Sequence, residues 1–435
     1  MMTSTKTLIT LMSLIGAFTV RAAEDLNNVK GKIFHVNPVD KRFELLKETV
    51  FDPETNEGKS RHTVYWTDQT RFTKVVRHTS FKDITGRVTA EFHGFNEKWA
   101  AAIEAGEPFR HRAVKILPGT EKPHGLSQDR TSVVGWFTPD KTDTKHRNGI
   151  LECDGIKIKV SLPGPNGAVD VHTPATADAI STGVWECHIQ GERADNGAFV
   201  VSAMEIYPQI DPREVDDPSL PRVLVIGDSI SMNYHEAAKR ALKGVANYYR
   251  VEGNAGPSDR GVACMELWLG DYKTKGLHWD VIQFNHGLHD LKQFYDEETR
   301  TYGKHQLDVE SYKANLEKEI VMMRETGATL MWCSTTPVPG SSVGRWNEGV
   351  MGRRKDEDLV FNRAAMEVMA NHPDILINNL NRVIREAVKT TDVFADWSKG
   401  TDVHFWGRPQ QEVVGQAVAE AVKRALKTRG KNRTE

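Results

Sequence analysis

The sequence predicts two small all-β modules followed by an α/β domain built on a parallel sheet. Three observations lead there. The chain has 435 residues, which at roughly 150 per domain calls for two or three domains and excludes a single small module. From about residue 28 to 209, short strand-like runs are broken by clusters of Gly, Pro, Asn and Asp. After an acidic, proline-bearing joint at 211–221, apolar runs alternate with segments of helical periodicity.

Lys plus Arg number 57 and Asp plus Glu 59, a net charge of -2. Such a chain has no long-range field to draw in phosphate backbones or anionic lipid, so neither nucleic acid nor a membrane is an expected partner. Charged residues at 27% and hydrophobic residues at 39% match a globular chain and not a disordered one. Residues 1–22 read as an export signal: an apolar run from Leu8 to Val20 follows Lys6, and small residues flank the expected cut near Ala22. No later stretch reaches about 18 uninterrupted apolar residues, so the expectation is a secreted or periplasmic protein without a membrane span.

The β half is expected as two modules, residues 23–120 and 128–210. Thr63–Trp66, Gly86–Phe92, Ile156–Val160 and Phe199–Met204 are representative strands. A repeat runs through them. The stretch from Gly86 to Gly94 matches the one from Gly183 to Gly191 in glycine spacing. Phe109, Ala113, Ile116 and Pro118 reappear as Phe199, Ala203, Ile206 and Pro208, with intervals of four, three and two residues in both copies. A period of 90 to 97 residues is domain-sized, far longer than a solenoid repeat, and implies two copies of one barrel or sandwich. Glycine-punctuated strand sets of this length resemble OB-like barrels. The first copy carries an extra helical stretch at 96–105, and a linker at 119–129 separates the copies.

The four cysteines, Cys153, Cys187, Cys264 and Cys333, are few for an exported chain. Either Cys153 pairs with Cys187 or all four are buried thiols. No zinc-like spacing of Cys and His occurs, so no metal site is expected.

For the α/β domain, residues 218–430, the predicted strands are Arg222–Ile226, Tyr248–Val251, Val281–Asn285, Thr329–Ser334 and Ile375–Asn378. Val309, Tyr312, Leu316, Ile320 and Met323 keep a helical apolar face, and Gln411 to Leu426 gives the closing helix. Continuous apolar strands joined by helices imply a sheet covered on both faces, with ligands bound beyond the carboxyl ends of the strands.

Four blocks fall at such places. The first strand runs into Gly227-Asp228-Ser229 at a helix start, where a hydroxyl is exposed and backbone N–H groups are free. The second is followed by Asn254-Ala255-Gly256, and a glycine lets its N–H approach an oxyanion unobstructed. The third runs into Asn285-His286-Gly287-Leu288-His289-Asp290, and Thr401-Asp402-Val403-His404 precedes the closing helix. In this order the blocks resemble those of the SGNH, or GDSL, hydrolases, over residues 222–427.

The resemblance implies a flavodoxin-like three-layer domain and acyl transfer to water through Ser229, with His404 as general base and no metal or organic cofactor. Ser229 and Gly256 would supply oxyanion donors. His289 stands where the family has an oxyanion-hole asparagine; an imidazole N–H can make the same bond, and Asn285 is a second candidate. The family's aspartate lies three residues before the histidine, but here Thr401 holds that place. Asp402, two residues before, is expected to orient the imidazole, with Asp396 or a backbone carbonyl as reserves.

Context then points to the substrate. A mean hydropathy of -0.49 and the absence of an evident apolar lid suit a polar polymer better than a lipid interface. Trp268, Trp397 and Trp406 are candidates to stack on sugar rings, although Trp268 sits in a helical run that suggests core. The glycine-rich loop 337–354 carries Arg345, Trp346, Arg353 and Arg354, which could hold a sugar carboxylate or sulfate, and Arg260 follows Gly256 closely. The expectation is a carbohydrate esterase removing O-acetyl groups from polysaccharide or oligosaccharide. The alternatives are a lipolytic or general short-chain esterase and, in another class, a non-catalytic glycan-binding surface protein.

Overall fold

Alternation of buried and half-buried residues, as in Asn148–Cys153, gives strands with one face on a core, and thirteen of them build the N-terminal half. The computed structural model describes residues 26–48, 61–80, 84, 86–93, 105, 109–110, 113–117, 124–128, 131–145, 147–161, 168–180, 185–346, 349–394 and 400–432. The expected export signal and nearly all of the expected helical stretch at 96–105 lie outside these residues.

The strands are β1 (Val29–Asn37), β2 (Arg42–Leu46), β3 (Arg61–Ser80), β4 (Val88–His93), β5 (Phe109–Arg110), β6 (Ala113–Ile116), β7 (Gly125–Leu126), β8 (Ser132–Pro139), β9 (Asn148–Cys153), β10 (Ile156–Ser161), β11 (Ala168–Ala175), β12 (Trp185–Arg193) and β13 (Phe199–Pro208). Two barrels result, the first closed strand to strand by its pairings. In the first, β1, β2 and β3 form a meander, β3 pairs parallel with β13, β13 pairs with β12, and β12 closes on β1. In the second, β8, β9 and β10 form the meander, β10 pairs parallel with β5, and β4 joins β6 to β8. Each encloses its own core, around Phe43, Trp66, Ile189 and Phe199 in the first and around Phe92, Phe137, Leu151 and Val160 in the second.

The repeat is visible as register. Ala90 faces Ile116 and His93 faces Ala113 in one copy; Cys187 faces Ile206 and Gln190 faces Ala203 at the corresponding positions of the other. An equivalence that the motif search missed is Gly31 and Gly135, which face Cys187 and Ala90. A Cβ would fall 2.5 Å from the Leu46 carbonyl oxygen at Gly31 and 2.6 Å from the Glu152 carbonyl oxygen at Gly135, so both strands need glycine for close approach.

The boundaries 23–120 and 128–210 do not describe these barrels. Each barrel takes its first three strands from one copy and its last two from the other, so the copies are exchanged and not set in tandem. The two hairpins have the same register, so their local pairing pattern does not mark which barrel each belongs to. The choice is made by β3, which at 20 residues and roughly 3.3 Å each spans about 65 Å and leaves the first barrel to pair antiparallel with β11 on the way to the second. A fragment of residues 128–210 therefore holds unmatched parts of both barrels. Alone it is expected to show no cooperative thermal transition by circular dichroism, whereas residues 23–210 should melt cooperatively. A cooperative melt of the short fragment would mean that each hairpin can close on its own copy.

Cys153 and Cys187 lie in different cores, and none of the four cysteines is in a disulfide; all are buried thiols.

The C-terminal half has a five-stranded, wholly parallel sheet of β14 (Arg222–Ile226), β15 (Asn247–Arg250), β16 (Val281–Phe284), β19 (Thr329–Cys333) and β22 (Leu376–Asn378), in the order β15-β14-β16-β19-β22. Each strand falls within one residue of its predicted ends. Every residue of β14 and β16 is buried, as in strands covered on both faces. After a short turn of helix, α1 (Pro212–Val215), come α2 (Ser229–Ala241), α3 (Ser258–Leu269), α4 (Val309–Arg324), α5 (Asp358–Ala370), α6 (Leu380–Thr390) and α7 (Arg408–Asn432). Helix α7 packs on α2 and α6, and α4 packs on α3 and α5.

A second, antiparallel sheet of β17 (Gln293–Asp296), β18 (Thr301–His305), β20 (Ser342–Trp346) and β21 (Gly349–Arg353) was not expected. Part of it is the stretch read from sequence as a loop. Strand β18 has no buried residue, so no apolar periodicity marks it. Among the described residues no helix is long and apolar enough to cross a membrane.

Candidate active site

Strand order reverses direction beside β14, and three of the four blocks lie just beyond the carboxyl ends of β14, β15 and β16, where α/β sheets bind ligands. Asp228 caps α2, its Oδ1 accepting the Ile230 N–H at 2.9 Å. Ser229 is thereby set in the first turn, where backbone N–H groups have no intrahelical acceptor. Asp228 is buried, and burial raises its carboxyl above the ordinary value.

The structure brings Ser229, His404 and Asp402 into one line. Ser229 Oγ lies 2.7 Å from His404 Nε2, and His404 Nδ1 lies 2.7 Å from Asp402 Oδ1. The shortened spacing works because Asp402 folds back on the chain: Oδ1 also accepts the His404 backbone N–H at 3.0 Å, an Asx turn. The second oxygen, Oδ2, accepts the Trp406 indole N–H at 2.9 Å. Burial opposes the charge of Asp402, but the bonds from Trp406 and His404 together hold its carboxyl below the ordinary range. An ionised Asp402 keeps the imidazole proton on Nδ1, leaving Nε2 to accept the Ser229 hydroxyl proton. Asp396 and Trp397 lie outside the described residues.

On the opposite side, Gly256 takes φ +67°, a conformation that favours glycine. Its N–H donates to Asn254 Oδ1 at 2.9 Å, so that donor is engaged by a side chain the motif comparison had not singled out. Asn254 Nδ2 in turn lies 3.5 Å from His289 Nε2. Burial, followed by the nearby Lys292 and Arg353 charges, pushes His289 well below the usual histidine value, so it is a neutral imidazole with one N–H. Asn285 is a correction: its amide donates to the Cys333 and His286 carbonyl oxygens at 2.7 and 3.3 Å, and both hydrogens are taken up in holding the strand ends together. Asp290 anchors the same loop by accepting the Ser258 N–H and O–H at 2.9 and 2.6 Å.

The expected substrate-binding residues divide. Trp406 stands beside His404, with ring centroids 5.4 Å apart, and is 55% exposed. Arg260 lies near Gly256 but its guanidinium pairs with Glu48 of the β half at 2.8 Å. Arg345 Nη2 donates to both carboxylate oxygens of Glu297, at 3.0 and 2.8 Å, in an exposed pair. Both arginines were expected to meet substrate; carboxylates far away in sequence had no local signal to reveal them. Trp268 is core, stacked on His286. Arg353, read from sequence as part of a basic loop, is buried, and its Nε donates to the Leu288 carbonyl at 2.8 Å, next to His289. Burial pulls it down to about 10, which still leaves it protonated at neutral pH. Trp346 faces both Arg353 and Lys292, at 5.6 and 5.0 Å from its ring centroid. Arg354 lies over Tyr302 at 5.1 Å. Among the described residues no cluster of three or more His, Cys, Asp or Glu side chains could hold a metal ion.

No family model matches the sequence, and neither does any curated protein. Solved structures do resemble part of it. A GDSL-like lipase from Bacteroides thetaiotaomicron shares 15% identity over 48% of this chain and 88% of its own, with a TM-score of 0.32. An acetylxylan esterase from Geobacillus stearothermophilus shares 14% over 47% of this chain and 94% of its own, with a TM-score of 0.33. The catalytic domain of peptidoglycan O-acetyltransferase A from Streptococcus pneumoniae shares 14% over 49% of this chain and 96% of its own, with a TM-score of 0.31.

Proposed function

We propose that the chain is an exported serine esterase of the SGNH, or GDSL, type that removes O-acetyl groups from polysaccharide or oligosaccharide through an acyl-enzyme on Ser229. One observation carries the reaction class: the hydroxyl, imidazole and carboxylate of Ser229, His404 and Asp402 stand in hydrogen-bonding line, 2.7 Å at each step, at a helix N-terminus. His404 Nε2 takes the hydroxyl proton as Ser229 Oγ attacks the ester carbonyl, and returns it to the leaving sugar alcohol. The Ser229 backbone N–H and the His289 imidazole stabilise the oxyanion. Water, deprotonated by the same histidine, then releases acetate and frees Ser229.

The sugar part of the proposal rests on Trp406, whose exposed ring beside the triad offers an apolar face to a pyranose. In the same reading the two barrels are OB-like, since each has a three-stranded meander whose third strand runs parallel to the last.

The test is acetate release from acetylated polysaccharides by the mature protein, together with rates on 4-nitrophenyl esters of rising acyl length. Acetate from polymer and a fall in rate beyond short chains are expected, because a closed acyl pocket is limited by space. Steady rates out to octanoyl would replace the acetylesterase with a general or lipolytic esterase. Silence on every ester would favour a glycan-binding protein.

A further inference from the structure

Beneath the Gly256 turn, in the core between β16 and α3–α4, lies a fully buried pair that the triad does not use. His286 Nε2 is 3.3 Å from Glu319 Oε1, and both side chains are wholly buried. His286 Nδ1 is 2.9 Å from the Gly256 carbonyl oxygen. A carbonyl can only accept, so Nδ1 carries a proton, and with burial holding His286 in its neutral form Nε2 carries a lone pair. A lone pair facing a carboxyl is satisfied only if the carboxyl is protonated and donates. Neither Glu319 oxygen, nor His286 Nε2, has a hydrogen-bond partner among the described residues, so the 3.3 Å approach is the one polar contact either side can use. Burial, reinforced by the Asp290 and Asp259 carboxylates, raises Glu319 well above its usual value, and burial lowers His286, which agrees with a neutral pair.

Space is reserved for this pair. A Cβ on Gly261, within α3, would fall 1.9 Å from Glu319 Oε1 and 2.7 Å from His286 Nε2. An interior helix position thus carries glycine, which a helix disfavours relative to alanine. The contacts also continue outward. Gly256 N–H donates to Asn254 Oδ1, which turns Asn254 Nδ2 toward His289 Nε2. An amide nitrogen can only donate, so His289 Nε2 is the acceptor and its one N–H sits on Nδ1.

We propose that Glu319, His286 and Asn254 are positioning residues for the oxyanion side of the site: a neutral chain from Glu319 through His286, Gly256 and Asn254 fixes His289 as an Nδ1–H donor. The inference rests on the esterase reading for its catalytic consequence, but the proton positions stand apart from it. Selective ¹⁵N-histidine labelling reads them in the unmodified protein. His286 and His289 should both show a protonated Nδ1 and an unprotonated Nε2; a protonated Nε2 on either overturns the proposal whatever the activity.

Kinetics supply the second arm. In Glu319→Leu, which removes the donor from an apolar site, kcat on 4-nitrophenyl acetate should fall roughly 10- to 100-fold with KM little changed. Glu319→Gln keeps an N–H donor and should restore kcat. Asn254→Ala cuts the chain at a part-exposed residue, so folding is not at stake, and should lower kcat similarly. Loss of kcat with an unchanged melting temperature supports positioning; an unchanged kcat in Asn254→Ala or in folded Glu319→Leu overturns it. If the unmodified protein hydrolyses no ester, the esterase reading fails while the labelling still decides the proton positions.

Discussion

Ser229→Ala is expected to lower kcat for ester hydrolysis on the order of 10⁴-fold or more while leaving the fold intact. The helix start does not depend on the serine side chain, because Asp228 supplies the cap and the Ser229 hydroxyl contacts His404. Without Oγ no acyl-enzyme forms, and the remaining rate comes from water held near His404 and the oxyanion donors. The checks are kcat on 4-nitrophenyl acetate, an unchanged melting temperature, and acetate release from polymer. Equal rates in the two proteins would assign the hydrolysis to something other than Ser229.

Asp402→Asn is expected to cost kcat roughly 10³–10⁴-fold. The carboxylate receives three N–H donors: His404 Nδ1–H, the His404 backbone N–H and the Trp406 indole. An amide of the same shape has one acceptor and one donor, so either orientation sets an N–H against an N–H. With the amide nitrogen toward His404, the ring proton moves to Nε2 and the serine loses its base. With it toward Trp406, the imidazolium formed in the reaction lacks its counter-charge. KM should change much less than kcat. A nearly unaffected kcat would transfer the orienting role to another group, Asp396 first among the reserves.

These variants probe a site that was partly legible in the sequence. Ser229, His404 and the His289 loop stood out because their blocks, in order and beside elements with a clear apolar pattern, resemble those of the SGNH hydrolases. Asp402 was expected to orient the imidazole although it stands two residues before His404 and not three; an Asx turn onto His404 brings it in. Asn285, the weaker of the two donor candidates beside His289, is set aside because the Cys333 carbonyl takes its amide. Glu319 and His286 were overlooked because no local pattern distinguishes a buried polar side chain with a distant partner from an exposed one, and Asn254 because its contact with His289 spans 35 residues.

The sequence alone determined the five parallel strands, the placement of the blocks at their ends, and the equivalence of the two β hairpins. Those features follow from periodicity and turn chemistry within about ten residues, where the chain has few alternatives. Tertiary structure decided which hairpin closes which barrel, that Arg260 and Arg345 pair with Glu48 and Glu297, and that Arg353 is buried against the Leu288 carbonyl next to His289. In each case local sequence leaves two or more choices nearly equal in energy, and contacts between residues far apart in the chain choose between them.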